Sequence, residues 1–174
     1  IENEQDKKRC LDEMPQSAPG KTIMTTEPKF VPSSGATIKI DEFTTNIKLI
    51  DCVGYVIKSA SGYEDDIGNP RLVKTPWYSE EIPFIEAAEI GTEKVIRDHS
   101  TIGIVVTTDG SISEFTRGEY LDAEEKVITE LKAINKPFII ILNTKNPSNE
   151  ETIRLAKNLT DNYDVPVMPI NVES

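Results

Sequence analysis

Along the second half of the chain, short wholly apolar runs alternate with stretches whose apolar residues recur at helical spacing. Ile102-Gly-Ile-Val-Val-Thr107 and Pro137-Phe-Ile-Ile-Ile-Leu142 read as buried strands, and Val165-Pro-Val-Met-Pro-Ile-Asn-Val172 as a last short one. Residues 84–98 carry Phe84, Ala87, Ala88, Gly91 and Val95 on one stripe, which predicts a helix. Residues 119–134 do the same with Tyr120, Ala123, Val127, Leu131 and Ile134, and residues 149–163 with Ile153, Ala156, Leu159 and Tyr163. The first half follows another rhythm. Residues 36–43 alternate, residues 46–51 turn continuously apolar near their end, and the short link Thr44-Thr45 predicts an antiparallel hairpin. Residues 1–13 are charged helix formers without an apolar stripe, expected to be the tail of a helix begun upstream. Residues 14–35, with four prolines and two glycines, read as a loop, and so does the polar stretch 52–83. The order β-β-α-β-α-β-α-β predicts an α/β fold: a mostly parallel sheet with one antiparallel edge hairpin and helices on both faces.

Composition bounds this picture without changing it. The 174 residues fit one domain, and no run approaches the roughly 18 apolar residues of a membrane span. The start at Ile1 has neither an initiator Met nor an apolar signal, so the chain is expected to begin inside a longer protein. A net charge of −11 repels nucleic acid and anionic lipid, so no nucleic-acid partner is expected. Cys10 and Cys52 are too few for a disulfide framework and agree with a reducing cytosol.

Ligands of open parallel sheets bind beyond the carboxyl ends of the strands, so the residues there carry the chemistry. After Ile50 comes Asp51-Cys-Val-Gly54, a carboxylate following an apolar strand with Gly three residues on, which is the Walker B pattern of nucleotide hydrolases. Asp51 would face a Mg²⁺ through water, and Gly54 would let a backbone N–H approach the terminal phosphate. Upstream, in a loop placed like switch I of GTPases (residues 14–35), Thr25 and Thr26 are candidates for the Mg²⁺-side hydroxyl and the γ-phosphate amide. Residues 52–83 correspond to a long switch II-like loop. After the strand at 137–142 comes Asn143-Thr144-Lys145-Asn146, where GTPases carry Asn-Lys-x-Asp. An amide at 146 has one acceptor where guanine needs two, which favours ATP. Asn171-Val-Glu-Ser174 lies where such domains place a second base-contacting turn.

No G-x-x-x-x-G-K-[ST] phosphate loop occurs in the chain. Gly20-Lys21-Thr22 lacks its first glycine, with Pro15 at that position, and precedes a Pro-rich loop rather than a helix. The first strand and phosphate loop are therefore expected upstream of Ile1, with that strand lying between the strand ending at Ile50 and the one at 102–107. Tyr55 stands where many GTPases have a water-orienting Gln, which suggests slow turnover or a residue supplied by a neighbour. Arg71 and Lys74 are candidates for charge stabilisation or for offsetting Glu64, Asp65 and Asp66; Trp77 and Tyr78 read as core anchors, and His99 as a helix-end cap.

Longer strings carry a resemblance. Leu11 to Pro32, Asp51 to Tyr55, Thr75 to Tyr78, Pro83 to Thr92, His99 to Gly103 and Thr107 to Gly110 make the chain resemble the stage IV sporulation protein A family of endospore-forming bacteria. The resemblance runs over essentially all of residues 1–174 and implies a P-loop ATPase domain of the GTPase-like (TRAFAC) class. It implies binding and hydrolysis of ATP with Mg²⁺ that drives self-assembly into a polymer, the basement layer of the spore coat. It places the protein in the mother-cell cytoplasm at the forespore surface, with a small amphipathic membrane-anchoring peptide and other coat proteins as partners of regions outside this chain. The family's switch threonines match Thr25 and Thr26, and its Walker B aspartate matches Asp51. Without a phosphate loop, this chain alone is expected to be inactive. A cytosolic GTPase switch and a structural module without turnover are the alternatives.

Overall fold

The structure, a computed structural model, describes residues 29–173 apart from 66 and 76, with side chains from residue 35 onward. The expected helix tail, Cys10, Gly20-Lys21-Thr22, Thr25 and Thr26 lie outside the described residues. The described chain divides into two compact units: residues 29–53 with 61–95, and residues 54–60 with 96–173.

In the first unit, β1 (Lys29–Ile40) and β2 (Phe43–Asp51) form the expected antiparallel hairpin, but β1 begins at Lys29, inside the segment 14–35 expected as a loop. Its turn falls at Asp41-Glu42 rather than at Thr44-Thr45. Asp41 takes a left-handed φ of 53°, which a short polar side chain tolerates and a β-branched Thr resists. Register slips between Val31 and Ala36, beside Gly35 at φ 78°. A Cβ there would lie 1.8 Å from Asn46 Oδ1, so only glycine fits. The sequence expectation of one long loop over 52–83 needs correcting. A second hairpin, β3 (Leu72–Thr75) with β4 (Tyr78–Pro83), occupies its C-terminal part. Ahead of it, Asp65 closes a turn by accepting from the backbone N–H groups of Ile67 (3.0 Å) and Asn69 (2.8 Å). Helix α1 (Phe84–Lys94) packs on β3 and β4, burying Phe84, Ala87 and Ala88 as its stripe predicts. It runs on into a π-helical turn, Val95–His99.

The second unit is a parallel sheet of β5 (Gly103–Thr108), β6 (Phe138–Asn143) and β7 (Val167–Ile170), in that order. A 3-10 turn, Arg117–Tyr120, leads into α2 (Leu121–Ala133); α3 (Glu150–Tyr163) follows β6. Helix α3 is capped by Asn149, whose side chain accepts from Glu151 N at 2.9 Å, and stops at Asp164 in a left-handed φ of 54°. Val105, Phe138, Ile140 and Val167 pack against Ile128 and Leu131 of α2 and Tyr163 of α3, and Leu142 against Ala156 and Leu159. Strand alternation puts all of these sheet residues on one face, so α2 and α3 share it. On the opposite face Ile104, Val106 and Met168 stay 52, 61 and 48% exposed. The β1–β2 hairpin is a two-stranded sheet of its own. Among the described residues β2 and β5 are not paired with each other.

A charged group is buried in this unit: Glu124 of α2 is 4% exposed. Arg117 Nη2 donates to its Oε1 at 2.7 Å, while Nη1 lies 2.6 Å from Oε2 and donates to Thr107 Oγ1 at 2.9 Å. The Tyr163 hydroxyl donates to Oε1 at 3.0 Å. Burial pushes the Glu124 carboxyl up, but the hydrogen bonds and charge of Arg117, with Thr107 and Tyr163, hold it below the ordinary range.

Arg117→Met strands a buried carboxylate, and urea denaturation is expected to show a loss of about 3–5 kcal/mol. Adding Glu124→Leu should recover most of it, because no unpaired charge then remains. Burial and the Glu124 charge also push the Tyr163 phenol from 10.0 up to about 12. The folded state holds this proton after the unfolded chain has lost it. Its stabilisation is therefore full below pH 10 and disappears as pH rises through about 12. Tyr163→Phe should flatten that part of the stability profile.

Candidate functional site

At the carboxyl ends of β5 and β6 the chain forms a knot of short polar side chains. Asp109, the residue after β5, accepts from Thr144 Oγ1 at 2.5 Å, Thr152 Oγ1 at 3.4 Å and Ser111 N at 2.9 Å. Asn143 Oδ1 accepts from Val172 N at 3.3 Å, tying the 171–173 turn to the end of β6. Thr144 is fully buried, so its side chain supports the turn from within and does not face a ligand. Lys145 and Asn146 are exposed and, with Pro147, Ser148 and Asn149, line an open cleft of about 440 Å³. The structure thus leaves Lys145 and Asn146 at the surface, while the buried Asn143 ties the 171–173 turn from beneath.

Asp51 ends β2 in the first unit with its side chain exposed, and Cys52 beyond it is half-buried and outside any disulfide. At Gly54, φ +79°, the chain enters the second unit. Residues 54–60 lie along α2 as a strap. The Tyr55 hydroxyl donates to Glu130, the Lys126 ammonium sits 4.4 Å from the Tyr55 ring centroid, and Lys58 pairs with Asp122 at 3.0 Å. A hydrogen bond from Ser59 draws the Glu119 carboxyl below its ordinary range, so the 3-10 turn holds the strap as well. The side chain standing at the GTPase water-orienting position is therefore engaged with a helix.

Several other sequence candidates resolve into structural roles. Arg71 stacks 5.9 Å over Phe84 and donates to the Gly62 carbonyl at 3.2 Å, which fastens it to the start of α1 and the turn ahead of β3. Trp77 is half-buried beneath Lys94, but Tyr78 is 50% exposed and anchors no core. Asp109, Ser111 and Thr152 escape sequence reasoning. Reading the residues after each parallel strand, applied to β5, would have reached Asp109.

The whole chain, residues 1–174, matches the family model described as "Stage IV sporulation protein A, ATPase domain". The chain belongs to that family. It is 57% identical over 175 residues to stage IV sporulation protein A of Bacillus anthracis and 55% identical over 175 to that of Bacillus subtilis (strain 168). The protein of the same name in Clostridioides difficile (strain 630) is 54% identical over 173 residues. These alignments cover 99–100% of this chain but 35% of each relative, so the chain spans about a third of their length. No solved structure matches it significantly. Asp51 stands at the end of β2 in the first unit, and the 143–146 turn at the end of β6 in the second.

Tyr55→Phe keeps the ring under Lys126 and removes only the bond to the Glu130 carboxylate. It should cost about 1–2 kcal/mol in urea denaturation. Lys58→Ala, which breaks a pair exposed on both sides, should stay within about 0.5 kcal/mol.

Proposed function

We propose that this domain binds ATP with Mg²⁺ and hydrolyses it, and that in the full-length protein hydrolysis drives self-assembly of the spore-coat basement layer. The observation that carries the reading is the match of the whole chain to the stage IV sporulation protein A ATPase domain. The fold is compatible with a P-loop hydrolase: a parallel three-stranded sheet with helices, and strand ends that bear polar turns. Assignment to the GTPase-like (TRAFAC) class rests on the Asp51–Gly54 and Asn143–Asn146 elements.

In this reading Asp51 faces the metal, with Thr25 and Thr26 of the switch I-like loop beside it, and Gly54 admits a backbone N–H to the terminal phosphate. Among the described residues no three of His, Cys, Asp and Glu come together to hold a metal by themselves. Magnesium shared with a nucleotide needs no such cage, because it keeps waters and takes one or two carboxylates plus phosphate oxygens. An exposed carboxylate at a strand end suits that role. The bound ion would supply charge neutralisation at the phosphates. The chain's own part is to hold the carboxylate and hydroxyls and to present the base-side turn. At that turn Asn146 favours adenine, since its single carbonyl replaces the carboxylate that guanine's two donors require.

The partners proposed for the whole protein are further copies of itself, a small amphipathic membrane-anchoring peptide and other coat proteins, at the forespore surface in the mother-cell cytoplasm. No described helix is long and apolar enough to cross a membrane. One observation favours a structural module without turnover: Tyr55 is tied to Glu130 and cannot orient water from there.

Titrating the full-length protein with labelled ATP and GTP, with and without Asp51→Ala, separates these readings. ATP is expected to bind in preference to GTP, and Asp51→Ala or chelation of Mg²⁺ to slow phosphate release about 10–100-fold. Tight GTP binding with ATP ignored would reverse the base assignment. ATP binding without any phosphate release would leave the structural module.

A further inference from the structure

The turn Asn143–Asn146 holds its shape through one carboxylate just beyond the end of a different strand. Three consecutive turn residues reach Asp109, each by a hydroxyl or through one. Thr144 Oγ1 donates to Asp109 Oδ2 at 2.5 Å and itself accepts from Asn146 N at 3.1 Å. Lys145 N donates to Ser111 Oγ at 3.0 Å, and the Ser111 hydroxyl bonds the same Asp109 carboxylate. Thr152, in the first turn of α3, supplies a further donor at 3.4 Å. The amides of Lys145 and Asn146 are thus fixed in direction, while both side chains remain exposed at the cleft.

We propose that Asp109 is the positioning residue of the base-side turn, orienting Asn146 and the neighbouring backbone for an adenine nucleotide through the Thr144 and Ser111 hydroxyls. The proposal rests on the reading of that turn as the base-contacting element. Its chemistry follows from the donor set. An adenine edge offers a paired donor and acceptor, which a side-chain amide matches only in one orientation. A free turn would pay for that orientation at each binding event, whereas a tethered one has it beforehand. Burial of Asp109 raises its pKa, but the hydrogen bonds from Ser111, Thr144 and Thr152 outweigh this and hold it below the ordinary 3.8. The carboxylate is therefore charged at neutral pH, and each hydroxyl bond to it is charge-assisted. The core of this unit does not need the group, since Glu124 and Arg117 hold β5, α2 and α3 independently.

The test uses the full-length protein with Asp109→Asn, Thr144→Val and Thr144→Ser, measuring ATP affinity, KM, kcat and melting temperature. Asp109→Asn and Thr144→Val should each raise the ATP Kd and KM roughly 10-fold, the loss of about one hydrogen bond to a charged group. In both, kcat at saturating ATP should stay within about 2-fold, because the turn acts on binding and not on the phosphates. Thr144→Ser keeps the hydroxyl and should bind like the wild type. The Asp109→Asn/Thr144→Val double variant should be no weaker than the worse single, since both cut one path. Thr144→Val is nearly isosteric and serves if Asp109→Asn fails to fold. Unchanged ATP affinity in Thr144→Val, or a lowered melting temperature with Kd unmoved, overturns the role of Asp109 alone. A wild-type protein that binds no ATP overturns the nucleotide reading of the turn, and the tether falls with it.

Discussion

A carboxylate keeps its charge inside a protein only where donors replace the water it has lost, and Glu124 meets that condition with groups from three other elements. Arg117 comes from the 3-10 turn, Tyr163 from the last residue of α3, and Thr107 of β5 joins through the second guanidinium nitrogen. The seating of both helices on one face of the parallel sheet is consistent with this single requirement. It also fixes the carboxyl end of β5, directly ahead of Asp109. An apolar side chain at 124 would pack there without demanding any particular partner. The ion pair instead ties the positions of four elements to one another, the kind of specification that apolar contact leaves loose.

Much of the second unit was legible in the sequence because its period is strong. Phe138, Ile140 and Leu142 are buried as their apolar run requires, and Ala156 and Leu159 fall on the predicted stripe of α3. The misses have physical causes. Ile153 reads as core but is 52% exposed, while its neighbour Thr152 is buried, because the helix turns its hydroxyl toward Asp109. Glu124 reads as surface, and no spacing rule announces an arginine and a tyrosine waiting around it. The β3–β4 hairpin was hidden by length and chemistry: strands of four and six residues, with Pro83 at one end and Ser79-Glu80-Glu81 within, carry neither alternation nor an apolar run. Uniformly apolar strands implied cover on both faces, yet α2 and α3 account for only one.

Of the candidate site, the strand-end placement was legible. Asp51 and Asn143–Asn146 stand at strand ends, as position in the chain suggested, and Thr144 shows where a motif comparison stops. Aligned with a GTPase lysine it looks like a ligand contact; in the structure it points inward. The stretch after Asp51 was least legible, since nothing in Gly54-Tyr-Val-Ile-Lys-Ser59 signals that it lies along a helix far ahead in the chain. Hydroxyl, ammonium and carboxylate contacts, rather than an apolar stripe, hold that strap to α2.

The buried threonine has a historical consequence. GTPases carry a lysine at the place proposed for Thr144, and here the threonine is packed with no exposure. Returning a lysine to a position with no exposure would force a long cationic chain into packed surroundings and cut two hydrogen bonds of the turn. Restoring an aspartate at 146 alone would leave the other half of the guanine motif missing. Any path to the guanine motif therefore needs coordinated changes at two positions of one turn, each harmful before the next arrives. In the proposed reading of the turn, packing at one small side chain acts as a ratchet on base preference.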